Sequence, residues 1–233
     1  CYSGTFLNRA GLSLRPKVFL DGPYESSTGL MIDSLRAKNL IPNTTPYGGT
    51  DTVSTPTLGI TGNNAIVDWI EVEIRDKTTP TTILMKRSAL LQRDGDIVES
   101  DGVSPVYFNG LPKDDYHIAI RHRNHLGVMT SVSVNFTENI QNIDFSTTAT
   151  YGTNAQKDLG SGVNGMWAGD GNNDGKIEYE SGWGDRVFML NKVGTGTPNN
   201  VLNVYDSADI NMDGVVKYNG KDSDRVKILL NIG

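Results

Sequence analysis

The sequence has few of the residues that support covalent cross-links or hydrolytic chemistry. Cys1 is its one cysteine, so no disulfide bond can form within the chain. An extracellular protein of this kind has to be held together by its core or by bound metal. The three histidines, His117, His122 and His125, come without a nucleophile-elbow motif, so a serine-hydrolase triad has little support. A structural role is favoured for His122, with a metal or catalytic role as the alternative.

Long apolar runs and excess positive charge are also missing. No run of 18 apolar residues occurs, which argues against a membrane span. The net charge is −6, whereas binding of nucleic acid needs a basic surface. The acidic balance instead fits the binding of cations. With 233 residues, 37% hydrophobic residues and 26 glycines, the chain suits one large or two small domains that are rich in β-structure and turns.

The N-terminal segment allows two interpretations. The sequence begins at Cys1 without an initiator methionine, which indicates a mature or cut product. A fragment of a longer polypeptide is favoured, and a processed bacterial lipoprotein, anchored through lipid on the cysteine, is the alternative. Residues 1–15 are interpreted as a leading strand or the tail of a preceding module.

Residues 16–150 carry the pattern of a β-sandwich. Strands are predicted over 66–75, 82–91, 106–108, 116–122, 128–136 and 140–145. Their short spacing, without crossover helices, favours an antiparallel sandwich of immunoglobulin type. A short helix is predicted over residues 29–40 and a long loop over 43–64.

Some side chains of this pattern allow more than one role. Glu71 and Glu73 alternate outward on the first long strand, so a solvated face is predicted rather than a glycosidase carboxylate pair. Trp69 is expected in the core. Trp167 and Trp183 flank an acidic loop, where packing of the module is favoured and sugar stacking is the alternative.

After residue 150 the strand alternation stops, so a domain boundary is placed near 149–152 and a second module over 151–233. This module contains an internal repeat. Aligning residues 168–194 with 207–233 gives identity at 10 of 27 positions. Oxygen-bearing residues recur at matching offsets, which predicts two copies of one metal-binding unit.

Each copy has the spacing of an EF-hand-type calcium loop. Oxygen-bearing side chains occupy positions 1, 3 and 5, and glycine at position 6 permits the sharp turn. Position 7 is expected to bind through its backbone carbonyl. The predicted ligands are Asp170, Asn172, Asp174 and Lys176 in the first copy, and Asp209, Asn211, Asp213 and Val215 in the second. Two Ca²⁺ ions are therefore predicted.

The closing ligand departs from the EF-hand pattern. Position 12, normally a glutamate, carries a serine in the first copy and a glycine in the second. Asp185 and Asp224 lie four residues later, and each begins an apolar pattern of helical period. A carboxylate in the first turn of a helix is favoured by the helix dipole, so these residues are predicted to close the loops. Glu178 and Asp222 stay open as additional ligands.

This order of loop, helix, linker, loop and helix resembles a dockerin. The four-residue insertion and the Asp-Arg pairs that begin at Asp185 and Asp224 are similar to divergent dockerin-like C-terminal modules of large Bacteroidetes cell-surface proteins. Segments 17–24, 67–76, 88–96 and 121–127 also resemble regions that precede the module in those proteins. The resemblance covers about residues 17–233. It implies secretion, surface display and calcium binding, with no established enzymatic activity.

The function expected from these features is non-catalytic. The chain is predicted to be a calcium-stabilised segment of a secreted or cell-surface protein that acts in adhesion or extracellular assembly, with another surface protein as partner. One alternative is a carbohydrate-binding or hydrolase-associated module with a glycan ligand. Another is dockerin pairing with a cohesin-type partner, against which the altered loops argue.

Overall fold

The computed structural model describes residues 11–137, 140–180 and 182–232. The strands are β1 (Leu12–Lys17), β2 (Tyr24–Glu25), β3 (Leu30–Met31), β4 (Ile66–Asp76), β5 (Ile83–Gln92), β6 (Ile97–Val98), β7 (Val106–Phe108), β8 (Asp115–His122), β9 (His125–Met129), β10 (Val134–Asn135), β11 (Ile140–Asp144), β12 (Lys157–Asp158), β13 (Asn164–Gly165), β14 (Val201–Leu202) and β15 (Val216–Lys217). The helices are α1 (Ser34–Ala37), α2 (Thr55–Leu58), α3 (Asp185–Val193) and α4 (Asp224–Ile232), with a 3-10 turn at Gly62–Asn64. Strand accounts for 33% and helix for 13%, so the predicted mainly-β class is confirmed. Cys1 and most of the predicted leading segment lie outside the described residues.

Two sheets enclose the main core. The larger has the order β10-β8-β4-β5-β6, with β9 paired to β8, and its pairings are antiparallel. The smaller has the order β11-β1-β7, in which β1 runs parallel to β11 and antiparallel to β7. Leu12 and Leu14 of β1 are buried in the same apolar cluster as Ile70 and Val72 of β4. This arrangement is compatible with a β-sandwich.

The segment between β1 and β4 differs from its prediction. The helix predicted over residues 29–40 is wrong for most of its length, since β3 occupies its start and only α1 is helical. The Met31 amide donates to the Arg93 carbonyl (2.8 Å), so a distant partner favours the extended conformation there. The predicted loop 43–64 contains α2 and the 3-10 turn, and the strand predicted over 128–136 divides into β9 and β10.

Both faces of β4 are buried. Its alternating apolar side chains lie in the core as predicted, and so does Trp69. The prediction of a solvated face for Glu71 and Glu73 is wrong, because they are only 8% and 3% exposed. Their carboxylates are compensated by cations: Lys86 lies 3.0 Å from Glu71, and Arg75 lies 2.5 Å from Glu73. Ion pairing therefore allows these two glutamates to be covered.

The C-terminal part of the chain has a second, smaller core. It is built from Ala168, Met189, Val193, Ala208, Ile210, Val216, Tyr218 and Ile228. The helices predicted to begin at Asp185 and Asp224 are confirmed as α3 and α4. β14 and β15, which lie between these two helices in the sequence, pair with each other. No helix in the described ranges is long and apolar enough to cross a membrane.

Candidate metal centre

The two acidic loops, 170–185 and 209–224, are called the first and second metal loops below. Each begins with a buried aspartate that accepts hydrogen bonds from its own loop. In the first loop, Asp170 accepts from the amides of Asp174 (2.9 Å) and Gly175 (3.1 Å). In the second, Asp209 accepts from the amide of Gly214 (2.9 Å). The glycine at position 6 of both loops has a positive φ, which makes the turn that brings its amide back to position 1.

The predicted closing residues reach the same loops. Asp185 and Asp224 are each the first residue of a nine-residue helix and are almost fully buried. Each carboxylate accepts two backbone N–H bonds of 2.8–3.3 Å from its own loop. The donors are the amides of Asn172 and Glu178 in the first loop and of Asn211 and Lys217 in the second. The structure therefore folds each loop around the carboxylate four residues beyond position 12.

The asparagine at position 3 ties the start of each loop to its end. Asn172 Nδ2 donates to the Trp183 carbonyl (3.2 Å), and Asn211 Nδ2 donates to the Asp222 carbonyl (3.0 Å). Asp222 thus contributes its backbone, while its side chain is exposed. Asp222 and Asp224 are both candidates for the closing ligand of the second loop, and the carboxylate of Asp224 is the one that faces the loop.

The paired carboxylates disfavour ionisation. Burial raises the pKa of Asp170 to about 6, and the neighbouring Asp185 carboxylate adds to the rise. Burial also raises the pKa of Asp185. In the second loop, burial raises the pKa of Asp209 to about 7 despite the opposing effect of Arg123. Burial and the Asp209 carboxylate raise the pKa of Asp224 to about 8. Negative charge is therefore concentrated in each loop without enough positive charge to balance it.

The second loop also contains oxygens without hydrogen-bond donors. Asp209 Oδ1 and Asp213 Oδ1 are buried, and no donor among the described residues reaches them. Leaving such an atom unsatisfied costs about 1–3 kcal/mol, more when it is charged. A hard cation is a suitable partner for carboxylate oxygens of this kind. The fit to a cation is thus best in the second loop.

The type of donor atom favours calcium over softer metals. Among the described residues, no three His, Cys, Asp or Glu side chains are grouped so that they could hold a metal ion, and this includes the three aspartates predicted as ligands in each loop. A complete cage would need amide and backbone oxygens as well, which calcium accepts and structural zinc sites rarely use. The carbonyl ligands at Lys176 and Val215 stay predictions. The Glu178 carboxylate lies 3.9 Å from the Lys176 ammonium, and its role also stays a prediction.

The second loop is docked on the sandwich, which the sequence did not predict. Lys38, just after α1, donates from Nζ to the Asp213 carbonyl (2.6 Å). A Cβ atom on Gly214 would lie 2.9 Å from Leu40 Cδ1, so the loop backbone is packed closely against this segment. Asn124, between β8 and β9, also contacts this loop. None of these contacts has a local sequence signal, because the partners are far apart in the chain.

The first loop borders a polar cleft instead. This cleft has a volume of about 300 Å³ and lies against the outer face of β4. Glu71, Glu73 and Arg121 line it on the sandwich side, and Asp170 and Asp174 line it on the loop side. A polar cleft therefore lies between the first loop and the sandwich, whereas the second loop contacts the sandwich directly.

The tryptophans beside the first loop have different environments. Trp183 is 90% exposed, so the prediction that it packs the module is wrong. Trp167 is partly buried, donates from Nε1 to the Asn154 carbonyl (2.9 Å) and lies under the Lys157 ammonium. Trp167 is not among the side chains of either hydrophobic core, so its role in packing the module stays a prediction.

The chain matches no protein-family model, no curated protein and no solved structure. These comparisons show no family for the chain.

Proposed function

We propose that this chain is a non-catalytic, calcium-stabilised segment of a secreted or cell-surface protein that acts in adhesion or extracellular assembly. In this proposal, residues 151–233 form a dockerin-like module with two Ca²⁺ ions, and the preceding domain is an immunoglobulin-like sandwich. The supporting observation is that two repeated loops each enclose a pair of buried carboxylates with raised pKa values.

Calcium would supply the positive charge that these loops lack. The residues that would hold the two ions are Asp170, Asn172, Asp174, Lys176 and Asp185, and Asp209, Asn211, Asp213, Val215 and Asp224. Because each closing aspartate is also the first residue of a helix, a bound ion would hold α3 or α4 against its loop. Metal binding of this kind contributes directly to folding free energy.

The surface of α4 supports a role in assembly. Val226, Leu229 and Leu230 are 40%, 46% and 70% exposed on this helix. Neighbouring exposed apolar side chains are typical of protein–protein interaction sites. A cohesin-type partner is one candidate, and a pull-down with the calcium-loaded chain, compared with its Leu230→Ser variant, would test it.

Calcium binding itself is tested by isothermal titration of the chelator-treated protein. Two ions are expected to bind the wild-type chain. Asp224→Asn should strongly lower calcium affinity at the second loop, because it removes one charge from the buried pair. Asp222→Asn is the matched control, since its side chain is exposed and should leave both sites intact. A wild-type chain that binds no calcium contradicts the proposal.

Glycan binding is a second candidate because Trp183 presents a large aromatic surface to solvent. Exposed aromatic rings can stack on sugar faces, and this one lies beside the first metal loop. A glycan array probed with the wild-type chain and with Trp183→Ala would test this function. Tyr151→Ala is a suitable control because Tyr151 is also exposed but lies outside the metal loops. A glycan retained equally by both variants argues against stacking on Trp183.

A further inference from the structure

Asn124 of the sandwich contacts the second metal loop and the residue that directly precedes the first. It lies between β8 and β9 and is fully buried. Its side-chain Nδ2 donates to the Asp209 carbonyl (2.6 Å), at position 1 of the second loop. Its backbone carbonyl accepts from the amide of Gly169 (3.0 Å), the residue directly before Asp170. One residue of the sandwich therefore holds the backbone where each loop begins.

The hydrogen-bond network fixes the orientation of this amide. The Gly22 amide donates to His125 Nε2 (3.0 Å), so Nε2 carries the lone pair and the ring proton lies on Nδ1. His125 Nδ1 then donates to Asn124 Oδ1 (2.7 Å). A flipped Asn124 amide would place its NH₂ group against this N–H, so Nδ2 is left to face Asp209.

Arg123, the preceding residue, anchors the segment that leads into the second loop. Its Nη1 donates to the Asp206 carbonyl, and its Nε donates to the buried Asp68 carboxylate of β4 (2.8 Å). Tyr205 donates to the same carboxylate (2.7 Å) and lies under the Arg123 guanidinium. The segment that precedes the second loop, residues 205–206, is therefore held against β4 by the buried ion pair of Arg123 and Asp68.

The junction also leaves little space for movement. The Leu126 amide donates to the Trp167 carbonyl (2.9 Å), so the start of β9 pairs with the backbone just before the first loop. A Cβ atom on Gly22 would lie 2.4 Å from the Ile210 carbonyl oxygen in the second loop. Displacing the second loop, or the backbone that leads into the first, would thus disturb close contacts with the sandwich.

We infer from these contacts that Asn124 is a positioning residue for both metal loops and that it couples calcium binding to the sandwich. The inference rests on the proposed calcium binding. By holding the Asp209 carbonyl and the Gly169 amide, Asn124 determines where the first ligand of each loop leaves the backbone. Groups that orient metal ligands without touching the metal commonly change affinity by about 10–100-fold when removed.

The test is calcium titration of the full chain carrying Asn124→Ala. Affinity at the second loop is expected to fall by about 10-fold or more, because the bond from Asn124 Nδ2 to the Asp209 carbonyl is lost. The first ion should be affected less, because the variant keeps the backbone carbonyl that accepts from Gly169. Asn135→Ala is the matched control, because Asn135 belongs to β10 of the sandwich and its amide donates to Asp115 Oδ1 (2.6 Å), outside both metal loops. Its affinity should stay within about 2-fold of wild type. Equal affinities of the two variants would overturn the inference.

Hydrogen exchange of the wild-type chain tests the coupling without a variant and remains decisive if Asn124→Ala does not fold. Calcium is expected to slow exchange at the amides of Leu126 and Gly169 as well as within the loops. Protection confined to residues 170–185 and 209–224 would contradict the coupling. Absence of calcium binding by the wild-type chain would instead be a failure of the proposed function, so the two failures are distinguishable.

Discussion

The two metal loops share their spacing but lie in different surroundings. In the first loop, Asp174 and Gly175 are exposed; in the second, Asp213 is half-buried and Gly214 is buried. The difference arises outside the repeat, since the sandwich contacts the second loop through Lys38, Leu40 and Asn124.

This difference changes the chemistry of the same residue types. Asp170 accepts hydrogen bonds on both carboxylate oxygens, whereas Asp209 accepts on one, and its Oδ1 lacks a donor among the described residues. The pKa of Asp170 is raised to about 6 and that of Asp209 to about 7, since burial is deeper in the second loop. The first loop can satisfy itself with its own amides, while the second depends more on a cation.

Removing calcium should have the largest effect. At a calcium concentration about 100 times Kd, each bound ion stabilises the folded chain by about 2.7 kcal/mol, which a chelator would remove. We expect a lower melting temperature and protease cleavage that begins in the exposed first loop, before the docked second one. Scanning calorimetry and limited proteolysis would show this. An unchanged melting temperature on chelation would falsify the structural role of calcium.

Replacing the closing aspartate of one loop at a time should distinguish the contributions of the two calcium sites to stability. Asp185→Asn and Asp224→Asn are each expected to remove one ion, lowering its affinity by about 100-fold or more. The loss of calcium-dependent thermal stability should be larger for Asp224→Asn, because the second loop is also attached to the sandwich. Calorimetry of both variants with and without calcium measures this difference. Equal losses would show that docking has no energetic consequence.

The pH dependence should also differ between the loops. The pKa values of Asp209 and Asp224 in the folded chain, about 7 and about 8, are above the ordinary aspartate pKa of 3.8. The metal-free folded state thus binds more protons than the unfolded state, and its stability falls as pH rises from about 4 to about 8. Asp209 also faces Asp213 and Arg123, whose opposing effects are included in this shift.

Calcium has to displace these protons, so affinity should increase with pH. Because the pKa of Asp170 is about 6, first-loop affinity should level off at a lower pH than second-loop affinity. Titrations of Asp185→Asn and Asp224→Asn between pH 5.5 and 8.5 would follow the remaining loop in each case. Parallel curves would contradict the difference in proton binding.

The smallest effect is expected at Trp183. Its side chain is 90% exposed, and Asn172 contacts only its carbonyl. Trp183→Phe should change the free energy of unfolding by no more than about 0.5 kcal/mol, as for most surface substitutions. Denaturant unfolding and calcium titration would check this. A large loss of first-loop affinity would contradict this expectation.

Local patterns in the sequence predicted several elements correctly. Alternation identified β4 and β8, and the repeat located the starts of α3 and α4 at Asp185 and Asp224. Prediction was less successful where distant segments decide the environment. The carboxylates of Glu71 and Glu73 follow an outward pattern, yet cations and covering segments bury them. Within the predicted helix 29–40, residues 30–31 are strand instead, and the Met31 amide donates to the remote Arg93 carbonyl (2.8 Å).

The sequence by itself determined the loops, because ligand spacing, the turn glycine and the helix-initiating aspartate all lie within 16 consecutive residues. It also predicted that the two loops are copies of the same metal-binding unit. Only the tertiary structure decided that the copies are unequal. The contacts of Lys38 with Asp213 and of Asn124 with Asp209 join residues far apart in the chain, so no local pattern encodes them. Long-range packing sets the burial of each carboxylate pair, and burial sets how strongly each pair needs a cation.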